Sequence, residues 1–177
     1  AWEYSWQCGR EDLKENSMKV FDSYLKNGFT QAGFFKESVN FDRGYEDPVH
    51  SIRRQSEGVY AMLHFLAYER ENGRRHPEWE QKMKNMLDIL LQLQHEDGSF
   101  PRKFHDDFTI VDNSGGSTPS ATLPLIMGYK YFKDKRYLAS AKRTADYLEK
   151  VLISKADYFS STLDANCEDK EASLYAA

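Results

Sequence analysis

The chain has 177 residues, of which 40% are hydrophobic and 14% aromatic, so it carries enough apolar side chains for a folded core. Its 24 Lys and Arg residues against 28 Asp and Glu residues give a net charge of -4. That balance argues against a basic surface for nucleic acid, and no apolar run is long enough to predict membrane insertion. The length fits one domain, and we predict a single helical domain over residues 1–177.

Hydrophobic residues recur at the spacing of amphipathic helices through most of the chain. The predicted helices are 11–27, 53–72, 78–95, 119–133, 135–153 and one that begins near Asp169. Pro77 suits the first position of the third helix, whereas Pro124 predicts a late start or a kink in the fourth. No run of alternating residues predicts a β-strand.

A turn sequence recurs at intervals of roughly 60 residues, which is the spacing expected of a structural repeat. Its three copies are Gln31-Ala32-Gly33-Phe34-Phe35, Glu96-Asp97-Gly98-Ser99-Phe100 and Lys155-Ala156-Asp157-Tyr158-Phe159. Each copy ends at an aromatic residue that we expect to pack beneath the loops. The repeating unit is therefore predicted to be a helical hairpin.

Long connections alternate with short ones along the predicted helices. The long connections are 28–52, 95–118 and 154–168. In an array of antiparallel hairpins they emerge at the same end. Connections of this length usually bind or catalyse, so we expect the functional site at that end.

The turn Gln94–Phe100 and the helix entries Ser114–Ala121 and Leu163–Ala172 resemble those of (α/α)-toroid proteins, especially six-hairpin glycosidase-like domains. The resemblance implies an all-α fold of antiparallel helical hairpins, in which inner helices form a ring around a carbohydrate cleft. Under that interpretation, 53–72 and 119–133 are inner helices.

A ring of six hairpins needs about twice this length, so the resemblance implies an incomplete (α/α)6-type toroid. We expect a fragment whose exposed helical edges allow self-association. The same resemblance implies a secreted or periplasmic protein.

Glycoside hydrolysis usually requires two carboxyl groups, one acting as an acid and the other as a base or nucleophile. Four acids near the predicted inner-helix entries are candidates for these roles: Asp112, Asp164, Glu168 and Glu57. The alternative for each is a solvated loop acid or a helix cap.

Sugar binding favours aromatic platforms with polar groups at their edges. The aromatic candidates are Tyr45, Phe104, Trp2 and Trp6. The basic candidates are His50, Arg53, Arg54 and Arg102, because arginine pairs bind the carboxylate of an acidic sugar. Ion pairs within the protein, and a terminal tail carrying the two tryptophans, are the structural alternatives.

Three functions remain open at this level. The first is a glycoside hydrolase, the second is a polysaccharide lyase centred on Tyr45, His50 and the arginines, and the third is a non-catalytic helical module. An oligosaccharide or polysaccharide is the predicted partner. No cofactor and no metal site are predicted, because the sequence carries no cofactor or metal-ligand motif.

Overall fold

The computed structural model describes residues 2–40, 42–113, 115–155, 159–162 and 165–168. Its α-helices are α1 (Trp2–Gln7), α2 (Glu11–Asn27), α3 (Ile52–Glu71), α4 (Pro77–Leu93), α5 (Thr122–Phe132) and α6 (Lys135–Tyr147). A 3₁₀ helix, Gly115–Ala121, leads into α5, and a π-helical turn, Leu148–Ile153, continues α6. The strands are β1 (Val39–Asn40), β2 (Tyr45–Glu46), β3 (Val49–Ser51), β4 (Lys103–His105), β5 (Ile110–Asp112), β6 (Phe159–Thr162) and β7 (Ala165–Glu168).

The predicted helices are confirmed where the apolar period is strong. The first has the predicted bounds, and the next two agree to within two residues. The fourth starts late, as Pro124 indicated, because a 3₁₀ segment precedes it and Pro124 falls in the first turn of α5. There the missing amide removes no intrahelical hydrogen bond. The helix predicted near Asp169 lies outside the described residues.

The prediction of no strands is wrong for the long connections. Strands of two to four residues form there, all paired antiparallel. The segment Trp2–Gln7 is also helical, although nothing in the sequence predicted α1. Both kinds of element are too short to be stable alone and depend on tertiary contacts.

The repeated turn adopts the same backbone hydrogen bonds in its first two copies. The amide of Thr30 donates to the carbonyl of Phe34 at 2.8 Å, and the amide of His95 donates to the carbonyl of Ser99 at 2.9 Å. The glycine of each turn has a left-handed φ, 96° in the first and 92° in the second, which side chains disfavour. The predicted repeat is therefore a structural one.

The aromatic residue that ends each turn is bound to the next inner helix entry. The amide of Phe35 donates to Oε1 of Gln55 at 2.9 Å, and the amide of Phe100 donates to Oγ1 of Thr118 at 3.0 Å. Both rings are buried, as predicted for satellite core residues. The side chain of Phe159 lies outside the described residues.

A further position of the turn contacts the next outer helix. Phe29 packs against Trp79 of α4, with ring centroids 5.8 Å apart. The equivalent residue, Gln94, donates to the carbonyl of Ser140 at 3.0 Å and to Oγ1 of Thr144 at 2.8 Å, both on α6. Each outer helix is thus tied to the following one, which builds an arc of hairpins.

The core lies between the inner helices α3 and α5 and the outer helices α4 and α6. Helix α3 contributes Ile52, Val59, Leu63 and Leu66, while α4 contributes a full apolar stripe that includes Met83, Met86 and Leu90. The described part of the chain is an all-α array of antiparallel hairpins. None of its described helices has the length and apolar character needed to cross a bilayer.

Candidate functional site

The first two long connections meet in one three-stranded sheet. Strand β3 precedes α3 and pairs with β4, which pairs in turn with β5 from the same connection. In this register His50 lies opposite Phe104, and Lys103 lies opposite both Ser51 and Asp112. Strand β6 of the third connection lies against the 3₁₀ helix that leads into α5. The prediction that the long connections gather at one end is confirmed.

The sheet fixes the start of α3. The amide of Ile52 donates to the carbonyl of Arg102 at 3.1 Å, so the first residue of the helix is bound to the adjoining connection. The hydroxyl of Ser51 accepts from the amide of Arg54 at 3.3 Å and caps the helix. The inner helix and the sheet therefore form one rigid unit at the long-connection end.

Two predicted site residues, Arg102 and Asp112, form an ion pair beside this helix start. Nη1 of Arg102 lies 2.9 Å from Oδ2 of Asp112, and the Arg102 amide donates to the Asp112 carbonyl at 2.7 Å. The arginine is buried and the aspartate half-buried. Asp112 therefore lies on β5 and is an ion-pair partner of Arg102.

His50 and Phe104 are brought together in an aromatic cluster. The His50 ring stacks on Phe34 with centroids 4.7 Å apart and lies 5.6 Å from Phe104. Its Nε2 donates to Oδ1 of Asp106 at 2.7 Å, because a carboxylate can only accept. The histidine and both phenylalanines are fully buried, so they support the connection and present no surface to a sugar.

A buried carboxylate that the sequence did not indicate, Glu37, binds the start of α3. Its Oε1 accepts from the amide of Ser51 at 2.8 Å and from Nε2 of Gln55 at 2.9 Å. Its Oε2 accepts from Nη1 of Arg54 at 3.1 Å, and only 2% of the glutamate side chain is exposed. Glu37 thereby orients Arg54, one of the predicted sugar-binding arginines.

Arg53 and Glu57 lie on the solvent-facing side of α3, one turn apart and close to its start. Nε of Arg53 is 3.6 Å from Oε1 of Glu57, and both side chains are partly exposed. Further down the same side, Tyr60 and His64 pack edge to face with ring centroids 4.6 Å apart. The helical period places these four polar or aromatic side chains in one stripe along the inner helix.

Trp2 and Trp6 lie at the opposite end of α3. Trp2 packs edge to face on Phe65, with centroids 5.9 Å apart, and donates from Nε1 to Glu69 at 2.7 Å. Trp6 lies against Trp2 and beneath the guanidinium of Arg74. Glu69 is about 25 Å from the helix start by helical rise. The structure therefore separates both tryptophans from the other predicted site residues.

Glu69 is the most strongly perturbed acid of this opposite end. Burial by itself would raise the pKa of Glu69, but hydrogen bonds from Arg74, His76 and Trp2 outweigh it and lower the pKa to about 2. The carboxylate is therefore ionised across the neutral range. It holds α1 and the α3–α4 turn against α3.

Three predicted site residues remain, and the structure describes the side chain of one of them, Tyr45. Tyr45 lies on β2 and is 53% exposed. Asp164 lies outside the described residues, and for Glu168 the structure describes only the strand backbone of β7. Within the described ranges no group of three His, Cys, Asp or Glu side chains could hold a metal ion.

The fold has a counterpart among known proteins. No family model matches the chain. A solved structure, cellobiose 2-epimerase from Bacillus thermoamylovorans B4167, matches 80% of this chain with a TM-score of 0.65 and 17% sequence identity. The matched part is 36% of the epimerase chain, so this chain spans about a third of its length. This likeness shows the fold, and the described helices are an arc of antiparallel hairpins of the (α/α)-toroid type.

Proposed function

We propose that the chain is part of a carbohydrate-active enzyme whose site lies at the end where the long connections meet. One observation carries the proposal: Glu57 is partly exposed on the inner helix, one turn from its start, and is paired with Arg53. Of the four predicted catalytic acids, Glu57 lies on the solvent-facing side of an inner helix that the structure describes. The name of the structural neighbour, a cellobiose 2-epimerase, supports a sugar as the substrate class.

Hydrolysis is the reaction that we propose first. Glu57 would act as the acid or base, with Arg53 beside it one turn earlier on the same side of the helix. A second carboxyl group is needed across the sugar, and Asp112, Asp164 and Glu168 remain the proposed sources of it. Tyr45, Arg54 and Arg102 are the proposed binding residues, with His50 and Phe104 supporting them from the buried side. Trp2 and Trp6 are left out because of their distance.

A lyase acting on acidic glycans is the second candidate. It is favoured by the guanidinium of Arg54, which is 61% exposed although Glu37 holds one of its nitrogens. An exposed, oriented guanidinium suits the carboxylate of a uronate in a two-point contact. In that case a base near the helix start would remove the proton beside the carboxylate.

The test is a panel of neutral and acidic glycans, with reducing ends and unsaturated uronate products measured separately. New reducing ends without unsaturation would support hydrolysis, and ultraviolet-absorbing products would support the lyase. Glycan binding without turnover would overturn both reactions in favour of a binding module. Inactivity and absence of binding on every glycan would contradict the whole proposal.

Replacing Glu57 tests the assigned residue. We expect Glu57→Gln to reduce turnover about 100-fold or more, the usual loss for a general acid or base. The matched control is Glu78→Gln, an exposed glutamate at the start of α4, which should leave turnover unchanged. Equal activity of the wild type and Glu57→Gln would exclude Glu57 from the reaction.

A further inference from the structure

The solvent-facing side of α3 continues past Glu57 with two side chains that the sequence did not indicate, Tyr60 and His64. They lie three and seven residues after Glu57, so the helical period keeps all three on one side of the helix. His64 is exposed and Tyr60 is half-buried. Their rings pack edge to face with centroids 4.6 Å apart. The stripe therefore runs from the candidate acid along the inner helix.

Tyr60 and His64 differ in their bonding from the arginine at the start of the same helix. The guanidinium of Arg54 is already held by Glu37. Among the residues that the structure describes, neither the Tyr60 hydroxyl nor a ring nitrogen of His64 has a hydrogen-bond partner. These polar atoms are therefore available to a ligand without the loss of a contact within the protein.

A sugar site favours an aromatic platform, and the platforms predicted from the sequence do not lie beside the candidate acid. Phe104 is fully buried, and Trp2 and Trp6 lie at the opposite end of α3. Tyr45 is exposed, but it lies on β2 in the first long connection and not on the inner helix. Tyr60 lies on the inner helix itself, within one turn of the candidate acid.

The spacing of the three side chains suits a single sugar ring. By helical rise, Tyr60 lies about 4.5 Å beyond Glu57 along the axis, and His64 lies about 6 Å beyond Tyr60. A pyranose has apolar faces and a rim of hydroxyl groups, so its face suits an aromatic ring and its rim suits polar neighbours. A carboxylate accepts hydrogen bonds from hydroxyl groups, and an imidazole can donate or accept them.

We infer that Glu57, Tyr60 and His64 form one sugar-binding subsite. A pyranose ring stacks on Tyr60, and its hydroxyl groups bind the carboxyl group of Glu57 and the imidazole of His64. The inference rests on the proposed function and deepens it, because it names the side chains that hold the sugar at the candidate acid. An aromatic ring and an imidazole need no charge on the sugar, so a neutral disaccharide is a sufficient ligand.

The test is titration of the full chain with cellobiose, a neutral disaccharide of two pyranose rings, measured by calorimetry. We expect Tyr60→Leu to weaken binding at least about tenfold, because leucine keeps an apolar side chain on the helix but has no aromatic face. Tyr60→Phe keeps the ring and should retain most of the affinity. His64→Ala should weaken binding about threefold to tenfold through the loss of a hydrogen bond. The matched control is Tyr4→Leu, an exposed tyrosine of α1, which should leave the affinity unchanged.

Thermal unfolding of each variant separates binding from folding. If Tyr60 only supports the helix, Tyr60→Leu will unfold at a lower temperature and its folded form will bind cellobiose as the wild type does, which would overturn the inference. Absence of cellobiose binding by the wild type would also overturn it.

The proposed reaction can fail separately from this subsite. Cleavage of a glycan at the same rate by the wild type and Tyr60→Leu would reject the subsite and keep the reaction. Cellobiose binding that depends on Tyr60, without turnover of any glycan, would keep the subsite and reject the reaction.

Discussion

The two hairpins α2–α3 and α4–α5 have the same turn, the same aromatic anchor and the same apolar period, yet they differ in how well they are packed. In the second hairpin the outer helix has six buried residues, whereas in the first it has none and stands beside an open groove. Local sequence is therefore sufficient to specify the hairpin. Its burial, and with it most of its stability, depends on the elements that flank it.

The difference is already present in the turns. The second turn is pressed against α6, where a methyl group on Gly98 would lie 2.6 Å from the carbonyl carbon of Arg143. A methyl group on Gly33, in the first turn, would meet no atom within 4 Å. The turn that a following helix covers is therefore closely packed, whereas the first turn has free space around its glycine.

The largest expected effect compares one leucine in each hairpin. Leu90→Ala should lower the free energy of unfolding by about 3 kcal/mol, because Leu90 is fully buried and its loss leaves a cavity. Leu25→Ala, at the equivalent position, should cost about 1 kcal/mol because that side chain is half solvated. Urea denaturation measures both. Equal losses would mean that the two hairpins are packed alike.

The second comparison uses the two turn glycines. Gly98→Ala should cost about 2–3 kcal/mol, from a left-handed φ together with the clash against Arg143. Gly33→Ala keeps only the conformational strain and should cost about 1 kcal/mol. Thermal unfolding of the two variants, run side by side, gives the difference. If Gly33→Ala were the more damaging, α6 would not be the cause of the tight second turn.

The third prediction concerns acid and the contacts that Glu69 of the first hairpin makes with α1 and with the α3–α4 turn. The pKa of Glu69 is lowered to about 2, so its contribution is fully present above the ordinary glutamate pKa and is lost as the pH falls from about 4.5 towards 2. The loss should be about 2 kcal/mol, and Trp2 should become more solvated over the same interval. Tryptophan fluorescence, recorded as a function of pH, measures the change in the solvation of Trp2.

Glu69→Gln is the control for that titration. The amide cannot ionise, so the variant should be less stable at neutral pH and should show a flatter response between pH 4.5 and pH 2. If the variant retains the full acid transition, another group is responsible and the Trp2–Glu69 contact does not hold α1 in place.

The sequence predicts the long helices well, but it does not predict the short elements that depend on tertiary contacts. Helix α2 was predicted at its observed bounds, because its apolar period is strong and Gly28 follows it. Helix α1 was missed because its six residues carry no period, and its fold depends on Trp2 reaching Phe65 and Glu69. Strands β3 and β4 were missed because each has three residues and because they pair with each other across two different connections.

The candidate site shows the same limit. Arg102 and Asp112 were predicted as separate site residues, and the structure joins them in an ion pair. His50 was predicted to bind sugar, yet it is buried on Phe34, a contact that no local pattern encodes. Glu37 sits in a polar segment without a motif, so its role under α3 could be found only from the tertiary contacts.

Hydrogen exchange of the α2 amides relative to the α4 amides tests the central claim most directly, namely that one repeat is covered and the other is open. In dilute solution the α2 amides should exchange far faster than those of α4, because α2 has no buried residue whereas α4 has six. Equal protection of the two helices in dilute solution would contradict the account.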